Sequence, residues 1–424
     1  MGVKREFFRC VLPSTAAFAL AGVYAIVDGY FVGNTLGDNG LAAINLAYPV
    51  TAFIQAAGTG IGLAGAIRFA ILRGQGRERE GAGCMSLAFL LLAAAALLLT
   101  AAALGFTAPL LGLLGSRGEV APLAEEYLRV IAVGAIFQVF ATGLVPFIRN
   151  LGGASFAMWT MIAGFLTNVA LDYLLVWVRP FGMAGAAWAT VIGQGVTALM
   201  SAAWLAAKRV RLARPGGGVG PTLVLAVAPF GLTFSPQITV VLMNRALMEY
   251  GGGLAVAVYS CIVYITVIIY LLFQGVGDGS QPLVSRYFGE GRRAELDESR
   301  RLAYISAAAV AVVSMAAVYL CRGLVGPLFG TSEAAAAEAA RLFPLFLAPL
   351  PLLAYTRVTT SNLYATEKAG ASYLLVYAEP VLTLALLLAL PGPLGLGLDG
   401  VWLAVPAAQA LNWAISLAVK HAVK

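Results

Sequence analysis

Histidine occurs once in 424 residues, cysteine four times, and acidic and basic side chains together make up only 11% of the chain. Each scarcity excludes something. Soluble globular chains carry roughly 25% charged residues, so a soluble domain is excluded. The one histidine, His421 in the basic tail, leaves no nucleophile–base or metal constellation for an enzyme. Cys10, Cys84, Cys261 and Cys321 lie scattered in or beside apolar runs without ligand spacing, which favours packing over a disulfide framework or a metal site. No Walker A sequence, HExxH or strand-borne GxSxG is present. GTGIGLAG at 58–65 evokes a dinucleotide loop, but it lies inside an apolar run with no strand before it, where glycines serve close helix packing. Without a nucleotide site, any transport must draw on an ion gradient or an external subunit.

What is abundant is apolar surface: 60% of residues are hydrophobic and the mean hydropathy is +0.87. A bilayer leaves backbone groups no partner outside helices and closed barrels. Barrel strands would alternate over about ten residues, whereas runs such as 85–106 are continuously apolar, so helices are expected. About 20 apolar residues span a bilayer. The apolar windows predict an all-α integral membrane protein with twelve transmembrane helices, at roughly 11–33, 42–70, 82–106, 121–146, 153–177, 184–207, 222–246, 254–279, 300–321, 337–361, 369–391 and 398–420. Met1 to Arg9 is too charged for an apolar targeting core, so the first window reads as a retained span. The stretch VRLARPGGGVGP reads as a flexible cytoplasmic linker, 209–221, between an N-terminal six-helix lobe, 1–208, and a C-terminal one, 222–424.

The net charge of +7 does not point to nucleic acid, because the bases gather beside spans. Both ends and the even-numbered connections are basic: Lys4, Arg5 and Arg9; Arg73, Arg77 and Arg79; Arg149; Lys208, Arg209, Arg211 and Arg214; Arg292, Arg293, Arg300 and Arg301; Lys420 and Lys424. The positive-inside rule then places both termini in the cytoplasm of a multi-pass protein of the cytoplasmic membrane. The halves also repeat. GTGIG at 58–62 matches GVGDG at 275–279, and Gly182, Gly185, Ala189 and Gln194 match Gly397, Gly400, Ala404 and Gln409, at offsets of about 215 to 217. Six spans per half make the repeats parallel, closing two pseudo-symmetric lobes around a central cavity.

The segment VDGYFVGNTLGDNGLAAINLAYPV (27–50) resembles the first-to-second-helix signature of the multidrug and toxic compound extrusion (MATE) transporters. GQGRERE after the second span, QPLVSRYFGEGRR (281–293) after the eighth and GLDGVWLAVPAAQ (397–409) in the last are similar to the same family, so the likeness covers essentially the whole chain. It implies an antiporter expelling small organic, often cationic or amphipathic, compounds against inward Na⁺ or H⁺; a monomer with no other cofactor is expected.

The polar residues inside spans can be read for themselves. Asp28 lies in an apolar run, where a carboxylate costs roughly 2.5–3.5 kcal/mol on insertion scales and must face a partner, a watery cavity or a cation. Tyr24 shares its helix face, four residues back; Asn168 and Asp172 repeat that spacing in the fifth span, and Thr190 lies in the sixth. Two carboxylates, an amide oxygen and two hydroxyls suit a hard monovalent cation. The set resembles the cation site of the family's DinF-like and archaeal members, which implies Na⁺ at Asp28, Asn168, Asp172 and Thr190. Blander roles are open: Asn168 and Asp172 solvated or capping at a helix end, Thr190 bonded to its own backbone. The other family pattern, with acids in the seventh and tenth spans, is missing. The second half has instead Arg357 and Glu379, either a buried ion pair or a substrate-facing acid. Asp278, in a glycine-rich stretch, reads as a loop or gate residue. Gln55, Gln138, Gln194, Gln237 and Tyr259 are interhelical glue or, with Glu379, the lining of a substrate cavity. Two rival functions are a lipid-linked saccharide flippase of the same superfamily, which would want several cations in its cavity, and a non-transport membrane protein.

Overall fold

The computed structural model describes residues 2–210, 212–328 and 332–422. Arg211 and Lys424, counted above among the basic segments, lie outside them. The described residues form helices and no strands. The first six spans are α1 (Val3–Gly37), α2 (Asn39–Gly74), α3 (Glu78–Gly105), α4 (Val120–Val133 and Ala135–Asn150), α5 (Ala154–Val178) and α6 (Gly182–Ala207). The next six are α7 (219–251), α8 (253–289), α9 (Arg293–Leu328), α10 (Glu333–Leu347 and Leu350–Ala365), α11 (Ala369–Ala389) and α12 (Gly397–Ala422).

The helices outrun the apolar windows, by eight residues at the start of α1 and seven at the start of α9. A hydropathy window marks only the part that crosses lipid, and the helix continues into the polar zone at either side. The pair α7–α8 is one 71-residue helical run, interrupted at Gly252. At 1.5 Å per residue a straight helix of that length would reach roughly 107 Å, several bilayer thicknesses. It folds back: Thr222 near its start bonds Arg68 of α2, and its last turn packs against Gly74 of the same helix. The reversal rests on one residue. Gly252 has φ 64° and ψ −163°, and Gly37 between α1 and α2 has φ 67° and ψ −164°, a region essentially closed to side chains.

The backbone carries the internal repeat more plainly than the sequence does. Positive φ recurs at Gly37 and Gly252, Gly76 and Gly291, Gly152 and Glu367, and Gly182 and Gly397, each pair 215 residues apart. The bends in α4 and α10 fall at equivalent places and measure 55° and 51°. Two like lobes therefore face one another.

They touch at the ends that bear the basic connections. A Cβ on Gly74 would lie 2.8 Å from the Arg286 carbonyl oxygen, and one on Gly289 would strike the Ile71 carbonyl, so α2 and α8 meet backbone to backbone. Gly275 and Gly279 bring α8 equally close to Thr15 and Val11 of α1. Glu6 pairs with Arg286 at 2.6 Å, Arg149 with Asp278 at 3.6 Å, and Arg68 with Glu367 at 3.5 Å across the same seam. Nearer mid-membrane, Phe53 of α2 packs edge-on against Phe230 and Phe234 of α7. Asp278 is thus not a loop residue. It sits inside α8, 6% exposed, and accepts a hydrogen bond from Tyr364. The glycines around it loosen no helix; they let two backbones approach.

Candidate cation site and the paired acid of the second lobe

Three helices of the first lobe, α1, α5 and α6, converge on the predicted cluster. Asn168 and Asp172 are 2% and 0% exposed, so neither is a solvated end residue. Apolar neighbours explain their position: α5 packs along α6 with Gly164 against the Gly193 backbone, too close for side chains at that crossing. Asn168 donates from Nδ2 to Thr190 Oγ1 at 3.4 Å, and Thr190 donates to its own helix at Ala186 O, the backbone bond of the blander role, while staying beside the cluster. Tyr24 stacks on Phe165 of α5, with ring centroids 5.2 Å apart, which turns its helix face toward the cluster. The Asp28 and Asp172 carboxyls lie side by side.

The oxygens left over decide what this place can do. Asp28 Oδ1, Asn168 Oδ1 and both carboxylate oxygens of Asp172 are buried without a protein hydrogen-bond partner. An unmet buried polar atom costs about 1–3 kcal/mol, more when charged, so four together are costly to leave bare. Arg149, the base buried in this lobe among the described residues, is occupied by Asp278 at the seam. Directly after Asp172 the helix widens into a π-helical turn, Tyr173–Val178, an irregularity frequent at functional sites. One further member was not foreseen from the sequence. Tyr127 of α4, 5% exposed, directs its hydroxyl toward Thr190 and the two acids. Its only sequence signal is an aromatic in AEEYLRV, which nothing local ties to α1 or α5.

The other polar candidates do not join the cluster. Gln138 is buried and donates to Thr51 O, tying α4 to α2. Gln55, Gln194 and Gln237 are half-buried. Tyr259 packs between Phe346 and Trp402 inside the second lobe. Glu379 faces Arg357 at 3.7 Å and accepts from Gln409, which also reaches the Tyr270 hydroxyl at 2.5 Å. Arg357 donates its other nitrogen to Leu232 O. That carbonyl has no helical donor, because the residue four positions on is Pro236.

The MatE family pattern matches residues 13–174 and 229–386. This chain belongs to the MatE family. It is therefore a membrane transporter and not an enzyme. The multidrug export protein MepA of Staphylococcus aureus is 24% identical over 392 residues, which cover 91% of this chain and 86% of MepA. MepA of Staphylococcus saprophyticus is likewise 24% identical over 393 residues, with the same coverage. Among solved structures, a MOP-superfamily transporter from Pyrococcus furiosus, described as having a binding pocket of reversed polarity, superposes with a TM-score of 0.92 at 22% identity, over 100% of this chain and 96% of its own. An outward-facing MATE multidrug-resistance transporter gives 0.91 at 24% identity, again over 100% and 96%. The twelve-helix, two-lobed fold is thus that of this MatE family member and of these transporters alike.

Proposed function

We propose that this MatE family member is a cation-coupled exporter of small organic, often cationic or amphipathic, compounds, working as a monomer by alternating access. In this reading it sits in the cytoplasmic membrane with both termini inside. Na⁺ or H⁺ entering from outside binds between Asp28 and Asp172, with Asn168, Thr190 and Tyr24 completing the shell. The observation that carries the reading is the group of four buried oxygens without protein partners, gathered from two helices of one lobe. Likeness to export proteins along nine-tenths of the chain supports the direction and the substrate class. Contacts between the lobes at their basic ends support a state closed on that side.

Neutralising the acids removes their demand for a polar environment and lets α1 repack against α5, which changes the affinity of the cleft for its cargo. The cation must bind the two lobe arrangements unequally to drive export. The flippase alternative is weaker on chemistry: Arg149 and Arg357, the buried bases that could meet a pyrophosphate, each face an acid. In proteoliposomes, Asp28→Asn should insert and fold normally yet lose efflux of a fluorescent cation under Na⁺ and pH gradients imposed separately. Full transport by that variant would refute the assignment.

A further inference from the structure

The linker between the lobes lies against the first of them. Gly216 donates its backbone N–H to Gly83 O of α3 at 3.1 Å, and a Cβ on Gly83 would lie 2.9 Å from Arg214 O, so linker and helix meet backbone to backbone. Gly217, with φ 85°, faces Cys84 without a side chain; a Cβ there would run into the thiol sulfur. Cys84, under this contact, is 1% exposed. Arg68 of α2 fastens the segment. Its Nη1 donates to Gly217 O at 2.6 Å and to Thr222 Oγ1, in the first turn of α7, at 3.1 Å, while its Nε faces Glu367 Oε1 at 3.5 Å.

These three partners of Arg68 come from the linker and the second lobe. Glu367 stands in the turn between α10 and α11 with φ 58°, where the first lobe has Gly152. Left-handed backbone favours glycine, so a side chain here is held against its own preference, and what it brings is the carboxylate facing Arg68. Counting forward 215 residues, Arg68 corresponds to Leu283, which is buried. The pair therefore has no copy at the repeat-related place and belongs to the side where the linker crosses. Length does not hold the linker down: the ten residues between Lys208 and Val219 could span up to roughly 33–36 Å when extended. A cavity of about 610 Å³, lined by Arg68, Cys84, Gly217 and Glu367 among others, lies beside the segment, so no packed core has to break for it to lift.

We propose that the linker segment 213–217 is a strap with Arg68 as its catch, held down while the basic ends of the lobes are closed and released when they part. Parting draws Glu367 and the start of α7 away from α2, which takes two of the three partners from Arg68 and pulls Gly217 after them. The bond from Gly216 to Gly83 then stands alone, the strap lifts, and the Cys84 thiol meets water. Arg68 is a positioning residue in this cycle: it lies outside the Asp28–Asp172 cluster and ties the resting place of the linker to closure of the seam. The proposal rests on the alternating-access reading in one respect, that the basic ends part during transport.

The test follows alkylation of the native cysteines by N-ethylmaleimide, each thiol read separately by peptide mass spectrometry. Cys261, also 1% exposed but inside the second lobe, reports any general loosening in the same sample. In detergent, Arg68→Gln should raise the Cys84 rate about tenfold and leave that of Cys261 unchanged, as loss of a charged hydrogen bond that opposes a local opening predicts. Arg68→Lys should fall between wild type and Arg68→Gln. Glu367→Gly should raise the Cys84 rate about threefold while the melting midpoint holds or rises, because the turn is relieved as the catch is lost. In proteoliposomes the wild-type Cys84 rate should climb while a fluorescent cation is being exported and return to its resting value once the gradient is dissipated. If the coupling assignment fails, Asp28→Asn still exports and Cys84 alkylation still follows export. If the strap fails, export proceeds with Cys84 at its resting rate. That last result overturns the proposal, as does a Cys84 rate that rises no more than that of Cys261 in Arg68→Gln and Glu367→Gly alike.

Discussion

The two lobes share a backbone and divide the chemistry. In the first lobe Asp28 and Asp172 lie inside spans and neither has a base paired with it among the described residues, leaving carboxylate oxygens without a protein partner. In the second lobe the buried acid Glu379 has Arg357. Symmetric folds can therefore keep their glycine turns and helix bends in register while charge is placed freely. The backbone keeps the repeat, and the side chains set on it differ.

Predictions that break or sharpen this contrast can be ranked by expected effect. Largest, Asp172→Asn should reduce gradient-driven efflux to background, whereas Glu379→Gln combined with Arg357→Met should leave ion coupling in place; equal losses would erase the distinction between lobes. Next, Arg149→Met strands Asp278 at the seam and should cost about 3–5 kcal/mol in thermal or denaturant unfolding. Adding Asp278→Leu should recover most of that. Gly289→Ala drives a methyl into the α2 backbone at the lobe contact and should cost about 1–3 kcal/mol, with faster hydrogen exchange in the last turn of α8. A smaller effect tests the proline kink: Pro236→Ala supplies Leu232 O with a backbone donor, so Arg357→Met should cost measurably less in that background. Smallest, Arg129→Ala removes an exposed helix pair with Glu125 and should leave the melting midpoint unchanged.

Much of this is legible in the sequence, for identifiable reasons. Spans show in composition because lipid admits only long apolar helices. The α1–α5 cluster is legible because acids in lipid-facing stretches are rare and their four-residue spacings put Tyr24 with Asp28 and Asn168 with Asp172. What stays hidden depends on contacts between distant segments. Asp278 reads as a loop or gate residue because GVGDG is rich in glycine, and only the approach of α1 to α8 reveals why the glycines are there. Its partner Arg149 is 129 positions away. Tyr127 and the Arg68 catch are hidden for the same reason: neither has a local pattern, and each is assembled from segments far apart in the chain.

The most direct measurement is cation release from purified protein on adding a saturating fluorescent organic cation, with protons read in weak buffer and Na⁺ read by electrode. Wild type should release one of the two ions, Glu379→Gln should release as much, and both Asp28→Asn and Asp172→Asn should release none. Undiminished release from either aspartate variant, or its loss only in Glu379→Gln, would contradict a coupling site in the first lobe.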